Sequence, residues 1–255
     1  MEILVCIKRV PATGARIVIT EDGQEIETRN LGFTISPHEE CAVEEAVQLV
    51  EKHGGSVTAL TLGPETAVAQ LRDSLAVGVD RAILLATDGR EWDPMATANA
   101  IIKAVQTEQD GGHSFDLLLF GNEAADTGGY QVAIRVAHAL GLPAVSGVKG
   151  IEIREDGTAV AKREVGGGWE IYEVPLPTVI TIKEGINLPR YPSVPGRLRA
   201  KRKPLQTIEP EWNGGGLEMI RLKSPPEQGS SVQILDDGIT AVPQIVEILK
   251  ELRLV

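Results

Sequence analysis

The segment Gly121-Asn122-Glu123-Ala124-Ala125-Asp126-Thr127-Gly128-Gly129-Tyr130-Gln131-Val132 carries the strongest small-molecule signal in this chain of 255 residues. It follows the apolar run Asp116–Phe120 and leads into a helix predicted from about Tyr130 to Leu140. That order puts it at the carboxyl edge of a sheet, where open α/β folds bind ligands. Gly128 and Gly129 let the backbone approach a ligand closely. The helix start offers unpaired N–H groups and a positive dipole end suited to phosphate, and Thr127 adds a hydroxyl donor. Asp126 disfavours a bare phosphate; its natural roles are capping the helix or bonding a ribose hydroxyl. An ordinary glycine-rich strand–helix turn has the same residues, and the motif alone leaves the two readings level.

Other strand ends converge on the same predicted edge. Cys6 stands at the end of the first apolar run, Ser36–Glu39 open a helix, and Leu62-Gly63 close the next strand. Taken singly, each is structural. Together they line an adenosine pocket, with backbone groups reading the adenine and Leu62 packing on it.

Catalytic sets are absent from the sequence. There is no GxxxxGK[ST] phosphate loop, GxSxG elbow or HExxH pair, and no GxGxxG after the first strand. The histidines His38, His53, His113 and His138 have no metal-ligand spacing, and Cys6 and Cys41 are too far apart for a zinc ribbon or a redox pair. Glu39-Glu40 and Glu44-Glu45 lie near a helix start, where carboxylates favour the dipole, and read as a solvated face. No nucleophile–base–orienter set emerges, so an enzyme in its own right is not expected.

A second segment, Asn187-Leu188-Pro189-Arg190-Tyr191-Pro192-Ser193-Val194-Pro195-Gly196, is stiffened by three prolines that remove backbone donors. Arg197-Leu198-Arg199-Ala200-Lys201-Arg202-Lys203-Pro204 follows it. One reading is a stiff linker with a solvated basic patch. The other is a partner-docking loop, with Tyr191 and Val194 as apolar contacts and a basic anchor behind them.

The elements that must position these residues alternate between strand and helix. Ile3–Ile7, Ser56–Leu62, Arg81–Leu85 and Asp116–Phe120 are predicted strands, each followed by a helical period. Ser36, Pro37 and Glu39 make a capping box with proline at the first helical position, and Gly54-Gly55 end that helix. Asp22-Gly23 sits between Arg16–Thr20 and Glu25–Thr28 as a hairpin turn. Four strand–helix units predict an α/β, Rossmann-like fold: a mostly parallel sheet with helices on both faces. Residues 145–182 read as further strands that extend the sheet in the antiparallel sense. After Asn187 core periodicity vanishes, returning only in a short amphipathic helix with Ile245, Val246, Ile248, Leu249 and Leu252. So long an unstructured stretch makes sense as an arm lying on another chain. The resulting division is 1–186 for the α/β domain, 187–204 for the loop and basic segment, and 205–255 for the arm.

Composition narrows the function further. With 25 Lys+Arg against 36 Asp+Glu, the formal charge of −11 argues against general binding to nucleic acid or to an anionic membrane surface. Aromatic residues are only 4%, too few for a base-stacking surface. No apolar window is long enough to insert in a membrane, and the first residues lack a leader's pattern, so a cytoplasmic protein is expected. Yet Arg190–Pro204 holds six basic residues and no acidic one.

At that basic segment the sequence resembles the beta subunit of electron transfer flavoproteins. The resemblance is carried by Asn187–Gly196 and Ala200-Lys201-Arg202-Lys203-Pro204. It extends through Lys162-Arg163-Glu164, Gly167-Gly168-Trp169-Glu170 and Leu176-Pro177-Thr178-Val179-Ile180-Thr181. Ile7-Lys8-Arg9-Val10-Pro11, Ala42-Val43-Glu44-Glu45-Ala46 and Ala76-Val77-Gly78-Val79-Asp80-Arg81-Ala82 complete it, in order over residues 1–204. The resemblance implies a non-catalytic electron carrier that pairs with an alpha subunit holding most of the redox-active FAD. It implies a structural AMP in this chain, lined by Cys6, Ser36, Pro37, His38, Glu39, Leu62 and the residues from Gly121 to Val132. In electron-bifurcating members a second FAD occupies that site and NADH is the donor. It further implies that Pro189, Arg190, Tyr191, Pro192, Ser193, Val194, Pro195 and Gly196 dock flavoprotein dehydrogenases such as acyl-CoA dehydrogenases, with Val194 as the apolar anchor. A membrane quinone oxidoreductase would receive the electrons, and the arm would wrap the alpha subunit.

Overall fold

The computed structural model describes residues 1–213, 216–226, 234–235 and 238–255. Residues 214–215, 227–233 and 236–237 of the expected arm lie outside the described residues. The chain opens with β1 (Glu2–Ile7), β2 (Val10–Pro11), β3 (Phe33–Thr34), α1 (Pro37–His53) and β4 (Ser56–Gly63). Then come α2 (Val68–Val77), β5 (Arg81–Ala86), α3 (Pro94–Asp110), β6 (Leu117–Gly121) and α4 (Val132–Leu140). Four strands follow: β7 (Ala144–Ile153), β8 (Thr158–Val165), β9 (Gly168–Pro175) and β10 (Thr178–Ile182). The remainder is α5 (Val194–Ala200), β11 (Leu205–Ile208) and α6 (Val242–Glu251).

Nine strands form one sheet in the order β11-β5-β4-β1-β6-β10-β7-β8-β9. The run Ile3-Leu4-Val5-Cys6 is apolar without alternation because β1 is central and covered on both faces. Ile3, Val5 and Ile7 pack in a core with α1, α2 and Ala200 of α5. Leu4 and Cys6 pack in the other core with α3 and α4. Strand order reverses at β1, which pairs in parallel with β4 on one side and β6 on the other. The expected α/β fold with helices on both faces is therefore present. No helix among the described residues is long and apolar enough to cross a membrane.

Local signals account for the starts of the two long helices. Ser36 Oγ accepts from Glu39 N while the Glu39 carboxylate accepts from Ser36 N, the reciprocal capping box, with Pro37 at the first position. Asp93 caps α3 by accepting from Met95 N and Ala96 N, followed by Pro94.

Three features depart from the expected elements. The Asp22-Gly23 hairpin is reduced to one antiparallel bridge, Ile19 to Ile26, because its apolar residues Ile17 and Val18 remain exposed and give a ladder no core to lie on. β8 and β9 extend the sheet in the antiparallel sense, but β10 does not: it returns to lie between β6 and β7, parallel to both. All five of its residues are buried, as a central strand requires. Finally, β11 is the sheet's edge strand, parallel to β5, so Leu205–Ile208 of the expected arm pack with the main domain.

The acidic face of α1 is a correction. Glu39, Glu44 and Glu45 are buried rather than solvated. Each finds polar partners that local periodicity does not reveal, and these partners organise the sites below.

Candidate nucleotide edge and docking loop

Of the sequence-predicted ligand residues, Ser36, His38, Glu39, Gly121 and Glu123 come together at the carboxyl edge of the sheet, beside the point where the strand order reverses between β1 and β6. Glu39 is the hub. Its Oε1 accepts from Lys8 N at 2.9 Å and its Oε2 from Ser36 N at 3.1 Å, tying the end of β1 to the start of α1. Burial pushes its carboxyl up to about 8, against the pull of those two N–H groups and the Lys8 charge. β6 reaches the same point. A Cβ on Gly121 would lie 2.7 Å from Glu39 Cγ and 3.4 Å from His38 Cβ, so only glycine lets β6 approach α1 this closely. Gly121→Val is expected to cost about 2 kcal/mol by overpacking, read as a lower urea midpoint at unchanged slope.

The loop from Asn122 to Gln131 is anchored at its start and closed on itself. Asn122 N donates to Ile182 O at 2.8 Å, and Thr181 Oγ1 donates to Asn122 Oδ1 at 3.0 Å. Gly128, at φ +63°, donates its N–H to Ala124 O, and Ala124 N donates to Gly129 O. Glu123 lies 3.5 Å from His38 Nε2, and His38 Nδ1 accepts from Glu184 N at 2.8 Å. Ala125, Thr127 and Tyr130 are exposed. The following helix, α4, has Gln131 at its N-cap position with no side chain capping it, and Val132 at its first residue. It starts two residues later than expected, after the loop's last exposed residue.

Cys6 and Leu62 sit differently. The Cys6 side chain is buried in the α3–α4 core, and burial pushes its thiol well above the usual range, so it is an inert apolar residue there. Leu62 is partly buried at the end of β4, packed on the same core. Two clefts open at the surface. One of about 500 Å³ is lined by Thr87, Asp88, Arg90, Glu91, Trp92, Glu209 and Trp212 among others. The other, about 350 Å³, is lined by Asn122, Tyr130, Ile134, Ser146, Gly147, Arg163 and Thr181. Lys8 has its ammonium 2.6 Å from Glu91 Oε1, in the lining of the first cleft, and 2.8 Å from Asp126 Oδ2. Sequence reasoning did not single out Lys8 as a site residue. Its signal was only its place one residue past the first strand.

Exposed loop backbone, an uncapped helix start, a partly buried Leu62 and an acidic residue suit a ligand with a phosphate, a ribose and an apolar ring. Among the described residues no group of acidic, histidine or cysteine side chains is arranged to hold a metal.

The second sequence segment is held to α1 and α2. Arg190 donates from Nε and a terminal nitrogen to both oxygens of Glu44 at 2.9–3.2 Å, and from both terminal nitrogens to Glu51 at 2.7 and 2.9 Å. Asn187 donates to Cys41 O and Glu45 Oε2. Arg190 thus serves as an internal staple rather than a free basic contact. Ser193 caps α5, a helix the sequence did not reveal because only Gly196 and Ala200 of its seven residues are buried. α5 sits so close to α2 that a Cβ on Gly196 would be 2.5 Å from Ala76 O. What the loop leaves outward is apolar: Tyr191 is 95% exposed and Val194 74%, with Leu188 and Leu198 also on the surface. Pro189, Pro192 and Pro195 lie between these residues.

The basic run divides in the same way. Arg197 pairs with Asp73 at 2.9 Å, and Lys203 Nζ donates to Leu75 O and Val79 O at the end of α2. Arg199, Lys201 and Arg202 stay exposed. α6 has no buried residue, and Ile245, Val246 and Leu252 lie on the surface near the chain end.

Comparison with known proteins gives the family. Residues 25–212 match the electron transfer flavoprotein domain. An electron transfer flavoprotein subunit beta from Bacillus subtilis is 41% identical over 212 residues, covering 82% of this chain and 79% of its own. A protein of the same name from Syntrophomonas wolfei is 34% identical over 251 residues, 98% of this chain and 96% of its own. One from Dictyostelium discoideum is 29% identical over 260 residues, spanning 100% of this chain and 99% of its own. The chain belongs to the electron transfer flavoprotein beta-subunit family.

Proposed function

We propose that this chain is the beta subunit of a heterodimeric electron transfer flavoprotein, binding AMP as a structural nucleotide and helping to hold the FAD of an alpha subunit. In this reading it passes electrons from flavoprotein dehydrogenases, such as acyl-CoA dehydrogenases, to a membrane quinone oxidoreductase. The observation that carries it is the pairing of two surfaces on one rigid frame. One is the edge where Lys8, Glu39, Gly121 and Asp126 meet. The other is an exposed apolar loop stapled to α1 and α2.

The edge would hold AMP through the backbone of the Gly121–Val132 segment and the start of α4, with Leu62 against the base and Asp126 toward the ribose. Bound FAD supplies the one-electron and two-electron chemistry of the complex. This chain's residues position and protect rather than react, which suits a protein whose sequence holds no acid–base set. Residues 187–204 form the docking surface, and the exposed face of α6 and the preceding arm cover the alpha subunit.

Acid extraction of the purified complex tests the reading. One AMP and one FAD per heterodimer are expected. Two FAD and no AMP would instead assign the chain to an electron-bifurcating complex with NADH as donor. A complex with no flavin at all would overturn both.

A further inference from the structure

Three carboxylates surround the ligand loop: Glu123 and Asp126 within it, and Glu91 across the edge. A phosphate among uncompensated carboxylates is repelled by each of them. The cations nearby are otherwise engaged. Arg90 is paired with Asp88, Arg9 lies 3.3 Å over the Phe33 ring, and His38 Nδ1 accepts from Glu184 N. Lys8 is different. Its N–H is fixed by Glu39, and its ammonium spans Glu91 and Asp126, with 29% of the side chain exposed. Burial opposes its charge, but Glu91 and Asp126 outweigh that and hold the amine above its ordinary value.

We propose that Lys8 is the charge-compensating residue of this edge: by neutralising Asp126 and Glu91 it lets an acidic loop accept a phosphate. The assignment rests on the nucleotide reading above and adds to it the residue that makes a phosphorylated ligand tolerable. Lys8 acts here as a positioning residue. The competing role is a purely structural strap, joining the loop after β6 to the segment after β5.

Adenosine separates the two, because it shares the base and ribose of AMP and lacks the phosphate. Full-length chain, co-produced with its partner subunit and stripped of nucleotide, would be titrated calorimetrically with AMP and with adenosine. Lys8→Met is expected to weaken AMP about 30-fold and adenosine less than about threefold. The Lys8→Met/Asp126→Asn double variant, in which both charges go, should regain most of the preference for AMP, a coupling that a strap would not produce. Equal loss of both ligands in Lys8→Met, or an unchanged AMP affinity, would overturn the assignment. Should Lys8→Met not fold, Lys8→Gln, which can still donate to the two carboxylates but carries no charge, takes its place: a loss confined to AMP supports the assignment, and equal loss of both ligands overturns it. Wild-type protein that binds neither ligand would instead defeat the nucleotide reading, and the role of Lys8 with it.

Discussion

Replacing Arg190 with methionine is expected to lower the unfolding free energy by about 2–3 kcal/mol at pH 7. The reason lies in Glu44, whose side chain is only 4% exposed and receives three of the guanidinium's hydrogen bonds. Breaking one side of a buried ion pair leaves the other charge without compensation, at about 3–5 kcal/mol when both partners are buried. Arg190 is 35% exposed, so solvent screening reduces that figure. Lysine would rescue little, because the two carboxylates are bound by the planar fork and not by a point charge.

The same contact has a pH signature. Burial works to raise Glu44, but hydrogen bonds from Arg190 and Gln48 hold it below its ordinary value, and Arg190 holds Glu51 down as well. A depressed folded pKa contributes stability above the unfolded value, near 4.5, and that contribution is lost as pH falls through the folded one. The penalty of Arg190→Met should therefore shrink between about pH 5 and pH 3. Urea melts across that range would check it, and a penalty independent of pH would assign the effect to packing alone.

Substituting the exposed apolar residues of the loop, Tyr191→Ser with Val194→Asp, should slow reduction of the complex by a partner dehydrogenase about 50-fold. A few buried apolar anchors dominate transient interfaces, each worth 2 kcal/mol or more when central. The flavin content should stay at one per heterodimer. Substitution serves this test better than deleting residues 191–196. Deletion would remove Ser193, which caps α5, and Gly196, which seats it on Ala76. It would thereby undock the frame along with the contact. Stopped-flow reduction of wild type and variant by one dehydrogenase decides it. Equal rates would show that the loop does not dock the donor, and lost flavin would show a structural role.

Much of the fold was legible because it is written in short-range patterns. β1, β5 and β6 hold continuous apolar runs, β4 is a run of apolar residues and threonines, and α1 and α3 announce their starts with Ser36-Pro37 and Asp93-Pro94. β10 was misplaced because TVITI says that a strand is buried, not which neighbours it has or in which direction they run. α5 was missed because seven residues with two buried small ones leave no period to read. The Glu44-Glu45 pair looked solvated since its partners, Arg190 and Asn187, lie more than 140 residues away.

The sites divide along the same line. Gly121–Val132 and Asn187–Gly196 stood out by residue type alone, since glycine, proline and exposed aromatic residues act through local backbone geometry and composition. By itself, then, the sequence determined the α/β class, the family and two candidate site segments. The tertiary structure decided how charge is distributed among them: that Arg190, Arg197 and Lys203 bind the chain to itself, and that Lys8 faces Asp126 and Glu91. Net charge adds up residues, whereas an ion pair depends on which strand ends the sheet brings within about 3 Å of each other.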